Sequence, residues 1–212
     1  MQEEERKEED SRIAEADNLG SLQLLGTAFR LLVLVILLTS VTYTFFLTGA
    51  GNLLWGKRSR GDLVRLDGKV VGSRLIGQEF TGPKYFHSRP SSKNYDAMDS
   101  GSANLAPTNE ELTERVRARV NELKERGIPK SEVPVSYVTE SGSALDPHIT
   151  PAGARLQVPR VSDATGISEE KLKDLIAGLT RGKFLGLYGK RRVNVLSLNL
   201  KLKELMETGH DD

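Results

Sequence analysis

Hydrophobic positions in this chain fall into three patterns: one unbroken run, several stripes spaced by three and four residues, and short β-branched clusters between turn-forming residues. The unbroken run is Leu31 to Gly56, LLVLVILLTSVTYTFFLTGAGNLLWG, and it holds no charged side chain. A bilayer's hydrocarbon core is about 30 Å thick and needs roughly 20 mostly apolar helical residues, which Leu31 to Ala50 supply before Trp55 reaches the interface. A cleaved secretory signal has a shorter apolar core and a basic start, whereas this run follows the acidic leader MQEEERKEED, so it predicts a single membrane anchor. Within it Ser40, Thr44 and Thr48 recur every four residues and predict a hydroxylated face. Such a face either docks on other helices, at about 1 kcal/mol per interhelical hydrogen bond, or bonds back to its own backbone.

The pattern beyond the anchor alternates short strands and helices, which predicts one compact soluble domain of mixed α/β (α+β) class. Asp67-Gly68 is a turn, and the β-branched stretch Lys69 to Ile76 after it predicts a strand or hairpin. Phe80 to Ser102 combines breakers with Tyr85, Phe86 and Tyr95, the mark of an ordered surface loop. Thr108 with Glu111 reads as a capping box, and Leu112, Val116, Val120 and Leu123 then line one face of a helix ended by Gly127 and Pro129. Val135 to Thr139 reads as a second strand. Thr150-Pro151 opens a short helix that runs to the Pro159 interruption. Ser168, followed by Glu169 and Glu170, caps another helix striped by Leu172, Leu175, Ile176 and Leu179. Val193 to Ser197 predicts a last strand, with Asn199 capping a final helix that ends near Gly209. The resulting organisation is an acidic, partly disordered tail (1–30), a transmembrane helix (31–56) and a soluble domain (57–212).

Charge changes this picture little. The 212 residues carry 30 Lys and Arg against 29 Asp and Glu, and no basic block is long enough for a nucleic-acid arm, so nucleic acid is not an expected partner. With no cysteine there is neither a disulfide framework nor a thiol nucleophile. Lys57, Arg58, Arg60 and Arg65 follow the anchor while only Arg30 and Arg12 precede it, and by the positive-inside rule this count favours a cytoplasmic soluble domain.

Three candidate chemistries can be tested against residue spacing. Ser141 or Ser143 with His148 and Asp146 are the types a serine hydrolase uses, but they crowd into one short run, whereas a triad is normally assembled from distant parts of a chain. Asp146-Pro147 reads more simply as a turn. His87, His148 and His210 stand singly, without the spacing of metal ligands, so no metal is expected. Gly178 to Phe184 (GLTRGKF) is similar to a phosphate loop but has three residues between its glycines instead of four, and Phe184 where a Ser or Thr must reach magnesium.

Six segments in order carry a resemblance across Leu31 to about Leu202. They are Gly72 to Gln78 (GSRLIGQ), Tyr85-Phe86 with Arg89-Pro90-Ser91, Ser100 to Asn109 (SGSANLAPTN), Val138 to Thr150 (VTESGSALDPHIT), Gln157 with Arg160-Val161, and Val193 to Leu200 (VNVLSLNL). Behind one N-terminal membrane helix, they resemble the C subunit of Kdp-type, high-affinity potassium-transporting ATPases. The resemblance implies a non-catalytic accessory subunit, with partners that are a channel-like potassium-binding A subunit, a P-type ATPase B subunit and a small F subunit. No Asp-Lys-Thr-Gly phosphorylation motif occurs in the chain.

The resemblance also implies a role in assembly and as a catalytic chaperone that raises the ATP affinity of the B subunit. No cofactor is then tightly bound, and any ATP is shared with that subunit. It places the chain in the cell membrane as a single-pass protein with the soluble domain outside the cytoplasm, against the local charge count. Candidate nucleotide or subunit contacts are Gln157, Arg160, Ser141, Asp146, His148 and Asn194. Tyr85, Phe86 and Arg89 form a candidate partner surface, since aromatic and Arg side chains are enriched at binding hot spots. Several positions depart from the family pattern. Tyr43-Thr44 stands in place of Tyr-Pro, Ala144 replaces a glycine, and Gly189-Lys190-Arg191-Arg192 replaces a more acidic, proline-bearing turn.

Overall fold

The apolar run is part of a longer helix. In the computed structural model, which describes residues 20–208, helix α1 spans Gly20–Trp55 with none of its most apolar stretch buried. Gly20 to Arg30, counted with the tail above, are therefore helical, and the acidic residues before them lie outside the described residues. The chain divides into two compact units at Arg60 and Gly61. In place of a proline kink, α1 carries a π-helical segment, Leu37–Thr42, closed by Tyr43 N–H donating to the Leu38 carbonyl. Widened turns of this kind are rare in helices and are frequently found at functional positions.

In the second unit, β1 (Leu63–Leu66) and β2 (Lys69–Ser73) form an antiparallel hairpin with a bulge between Val64 and Arg65. Asp67 and Gly68 both take positive φ (49° and 77°), as the hairpin-favouring type I′ turn requires. Helix α2 (Glu110–Glu125) is capped by Asn109, whose side chain accepts from Glu111 N–H, rather than by Thr108. Asn is at least as good a cap as Thr, and the turn closed by Asn109 N–H on the Ala106 carbonyl places it at the entry.

Val135–Val138, read as a strand, is a single helical turn, α3. Pro134 at its N-cap, the Thr139 hydroxyl on the Val135 carbonyl and the burial of Tyr137 together override the β preference of its two valines.

The core lies in the C-terminal half. Strand β3 (His148–Ile149) pairs antiparallel with β4 (Val193–Asn194), matching His148 to Asn194 and Ile149 to Val193. Around this ribbon pack α4 (Pro151–Arg155), α5 (Val158–Thr165), α6 (Glu169–Leu179) and α7 (Val195–Thr208), with α6 touching α4, α5 and α7. Phe86, Ile149, Val158, Val161, Leu172, Ile176, Val193, Leu198 and Leu202 close the interior. Two of the predicted caps form as read: Thr150 accepts from Gly153 N–H with Pro151 in the first turn, and Ser168 accepts from Lys171 N–H. Pro159 does not end a helix but sits in the first turn of α5, where its missing N–H is no loss.

The last predicted strand is corrected most. Only Val193 and Asn194 are extended, because the Asn194 side chain accepts from Ser197 N–H and starts α7 there. Asn199, read as the cap, lies one turn inside α7 and is 3% exposed.

Candidate functional site

Asn199 defines the first functional cluster. Its Oδ1 accepts from Phe86 N–H and its Nδ2 donates to the Phe86 carbonyl, both at 2.8 Å. Gln157, 2% exposed at the N-cap of α5, treats the next residue in the same way: Oε1 accepts from His87 N–H at 2.8 Å and Nε2 donates to the His87 carbonyl at 3.1 Å. Two buried carboxamides thus stand where a neighbouring strand would stand, each satisfying both backbone groups of one residue. Arg160 completes the clamp by donating to the carbonyls of Pro83 and Tyr85 and to Gln157 Oε1. Gln157 Nε2 also reaches the Gly153 carbonyl, so the hydrogen-bonding capacity of Gln157 is filled within the chain.

This clamp decides the fate of the candidate aromatic surface. Phe86 is fully buried in the core, so its place on a partner surface is corrected: with both backbone groups held by Asn199, its ring is drawn into the interior. Tyr85 stays half-buried, tilted against Phe80 at 5.9 Å between centroids, with the Lys84 ammonium over its ring. His87 donates Nε2–H to the Gly82 carbonyl at 2.9 Å. Burial lowers its pKa from the ordinary histidine value; the Gly82 contact opposes this, and the positive charges of Arg160, Arg119 and Arg126 add to it.

A second cluster surrounds Asp146. Arg89 donates Nη1 to Asp146 Oδ2 at 3.2 Å and Nη2 to the Glu140 carbonyl at 2.8 Å. Asp146 Oδ1 accepts from His148 N–H at 3.0 Å and faces His148 Nδ1 at 3.6 Å. The buried Ser141 hydroxyl accepts from Asp146 N–H, and Ser143, which is exposed, accepts from Leu145 N–H. Neither serine is bonded to His148, so the residues a hydrolase would need are near each other without the nucleophile-to-base contact. They build a turn whose residue Ala144 holds φ of 59°, the left-handed backbone that explains why a glycine suits that position. Asn194, besides capping α7, donates to the Arg74 carbonyl.

The Asp146 cluster opens on a cleft of about 430 Å³ lined by Arg89, Ser136, His148, Thr150 and the basic run Lys190 to Arg192. Burial of Asp146 would raise its pKa, but hydrogen bonds from the His148 side chain and amide and from Arg89 outweigh it and hold the carboxyl below its ordinary value. A carboxylate depressed in the folded state stabilises the fold fully above its unfolded pKa of about 3.9 and loses that contribution as pH falls through the folded value. The expected result is that Asp146→Asn lowers the thermal midpoint near neutral pH, with the gap from wild type closing in acid. A gap that is constant with pH would show that charge plays no part.

Sequence reasoning singles out Gln157, Arg160, Ser141, Asp146 and His148 as candidate contacts and Arg89 as a candidate partner surface, and the structure places them in these two internal clusters; it misses Asn199, whose only signal is a polar residue on the apolar face of a helical stripe. The membrane helix adds one more observation. Thr27 and Thr39 bond back to carbonyls four residues earlier, whereas among the described residues the hydroxyls of Ser40, Thr44 and Thr48 bond to nothing.

With this geometry in place, comparisons with known proteins supply the context. Residues 25–204 match the family described as KdpC, K+-transporting ATPase, c chain. The chain is 47% identical over 175 residues to a potassium-transporting ATPase KdpC subunit of Caldanaerobacter subterraneus subsp. tengcongensis, covering 82% of this chain and 90% of that protein. It is 46% identical over 198 residues to the subunit of the same name from Methylobacterium nodulans, covering 87% and 98%. The Bacillus mycoides subunit is 45% identical over 187 residues, covering 87% and 97%.

Proposed function

The chain belongs to the KdpC family, the c chains of K+-transporting ATPases, and from that premise we propose that it is the accessory, non-catalytic subunit of a high-affinity, ATP-driven potassium import complex. Its partners are the channel-like A subunit, the P-type ATPase B subunit and the small F subunit. The observation that carries the assembly role is α1 itself: an apolar helix with no buried face of its own, bearing three hydroxyls without partners among the described residues. In hydrocarbon such hydroxyls gain from interhelical hydrogen bonds, so Ser40, Thr44 and Thr48 form the docking face toward the membrane-embedded subunits.

The second part of the reading is the catalytic chaperone role. The soluble unit works outside the cytoplasm, and its effect on ATP affinity is a coupling free energy transmitted through the assembled subunits. Direct ATP contact would need free donors on Gln157 and Arg160. Their committed hydrogen bonds to Pro83, Tyr85 and His87 favour the indirect route.

The test is expression of the complex with and without this chain. With it, potassium-stimulated ATPase activity is expected from the purified complex and none from the chain alone. Without it, any assembled remainder should show a KM for ATP raised on the order of tenfold, within the usual range of coupling between sites. Replacing Ser40, Thr44 and Thr48 together by leucine should lower recovery of the chain with the complex while leaving its insertion in the membrane intact. Full assembly with an unchanged KM in the chain's absence would overturn the proposal.

A further inference from the structure

Between α6 and β4 the chain makes an excursion that the fold does not use. Arg181 and Arg192 pair across its base, each donating its N–H to the other's carbonyl, and Phe184 and Tyr188 pair in the same way at 2.8 and 3.0 Å. The result is an ordered hairpin, with Leu185 and Gly186 in left-handed conformation at the turn. Its tip is apolar and in solvent: Phe184, Leu185, Leu187 and Tyr188 are 69%, 75%, 74% and 69% exposed. Among the described residues no other part of the second unit displays four large apolar side chains this way. None of the four belongs to the buried core cluster or to the partly buried residues packed on it.

The flanks are as one-sided in charge as the tip is in polarity. Residues 180–192 contain Arg181, Lys183, Lys190, Arg191 and Arg192 and no acidic residue. Among the described residues none of these five cations has a carboxylate partner, although ten Lys or Arg to carboxylate pairs are formed elsewhere in the second unit. Lys190, Arg191 and Arg192 also line the cleft behind the hairpin, together with the Arg89–Asp146 ion pair and the hydroxyls of Ser136 and Thr150. Unpaired cations beside exposed aromatic and leucine side chains have one complementary surface with both properties: acyl chains under anionic headgroups. The membrane-spanning α1, joined to this unit through residues 56–60, keeps that surface at high local concentration.

We propose that hairpin 180–192 is a second membrane contact, one that binds anionic phospholipid. Phe184, Leu185, Leu187 and Tyr188 enter the interfacial zone, and Lys190, Arg191 and Arg192 take the headgroup phosphates. Each cation near an anionic surface contributes roughly fivefold to binding, an effect that salt screens. The proposal is independent of the subunit's role in ATP affinity.

The test exploits the absence of native cysteine. A spin label on Leu187→Cys in the full chain is read in bilayers of phosphatidylcholine alone and with phosphatidylglycerol added. Collisions with oxygen and with a water-soluble nickel chelate report whether the label lies in lipid or in water. The expected result is a severalfold rise in the oxygen-to-nickel ratio in the anionic bilayer, lost in high salt and in Lys190→Gln/Arg191→Gln. An unchanged thermal midpoint for that variant excludes misfolding as the cause. Glycerol phosphate added to the phosphatidylcholine sample should leave the label in water. If it protects the label as the anionic bilayer does, the site is one for a free phosphate and the proposal falls. It falls too if the label stays in water in both bilayers, or becomes shielded only when the other transport subunits are present.

Discussion

Asn199→Ala is expected to lower the stability of the second unit by about 3–5 kcal/mol. The substitution leaves the N–H and C=O of Phe86 buried without partners, at about 1–3 kcal/mol for each group, and opens a cavity beside the ring. For a unit of this size the shift is on the order of 10 °C in thermal midpoint. Hydrogen exchange supplies the site-specific readout, since the Phe86 amide should lose protection far more than amides in α6. Asn199→Asp is the informative companion. It keeps an acceptor for Phe86 N–H, removes the donor to the carbonyl and buries a charge, so it should be no milder than alanine. A loss below about 1 kcal/mol for Asn199→Ala would mean that the loop is held by its packing and that the carboxamide is dispensable.

Gly77→Ala is expected to be damaging as well, though less so, for a steric reason. A Cβ at Gly77 would stand 2.9 Å from the Asp146 carbonyl oxygen and 3.1 Å from the carbonyl carbon of Leu145. Gly77 N–H also donates to the Leu145 carbonyl at 2.6 Å, so the two backbones cannot part without losing that bond. Overpacking of this kind costs about 1–3 kcal/mol. Here it displaces the segment that carries Asp146 to Arg89 and His148, so the acid dependence attributed to Asp146 should weaken as well. Gly72→Ala is the control. Its Cβ would meet the far end of the Gln78 side chain, which can swing away at the cost of a single hydrogen bond to the Val71 carbonyl, about 1 kcal/mol. If Gly72→Ala proved the more harmful, the close approach at Gly77 would not be the constraint described.

What could be read in the sequence was what depends on near neighbours. Thr150-Pro151 and Ser168 announce their helices because a cap bonds within three residues of itself. Asp67-Gly68 announces its hairpin because the turn type demands those φ angles. The failures are those where a partner lies far along the chain. Asn199 meets Phe86 across 113 positions, and Gln157 meets His87 across 70. No local pattern distinguishes such a carboxamide from one that caps a helix or faces a ligand. Phe86 was misplaced for the same reason: in a loop of glycines and prolines an aromatic residue looks exposed until the groups that pull it inward are known. Val135 to Val138 shows the opposite limit, where a correct propensity yields to Pro134 and to the burial of Tyr137.

The π-helical segment at Leu37–Thr42 has a consequence for how α1 can meet its neighbours. Packing along a single seam depends on a constant repeat, so that the same stripe keeps facing the same partner. A widened stretch accommodates about one extra residue, which turns everything beyond it by roughly 100° about the helix axis. The stripe running down from Gly20 to Ile36 therefore does not continue into Tyr43 to Trp55. The helix shows one azimuth on one side of the segment and another beyond it, and a single straight neighbour cannot follow both.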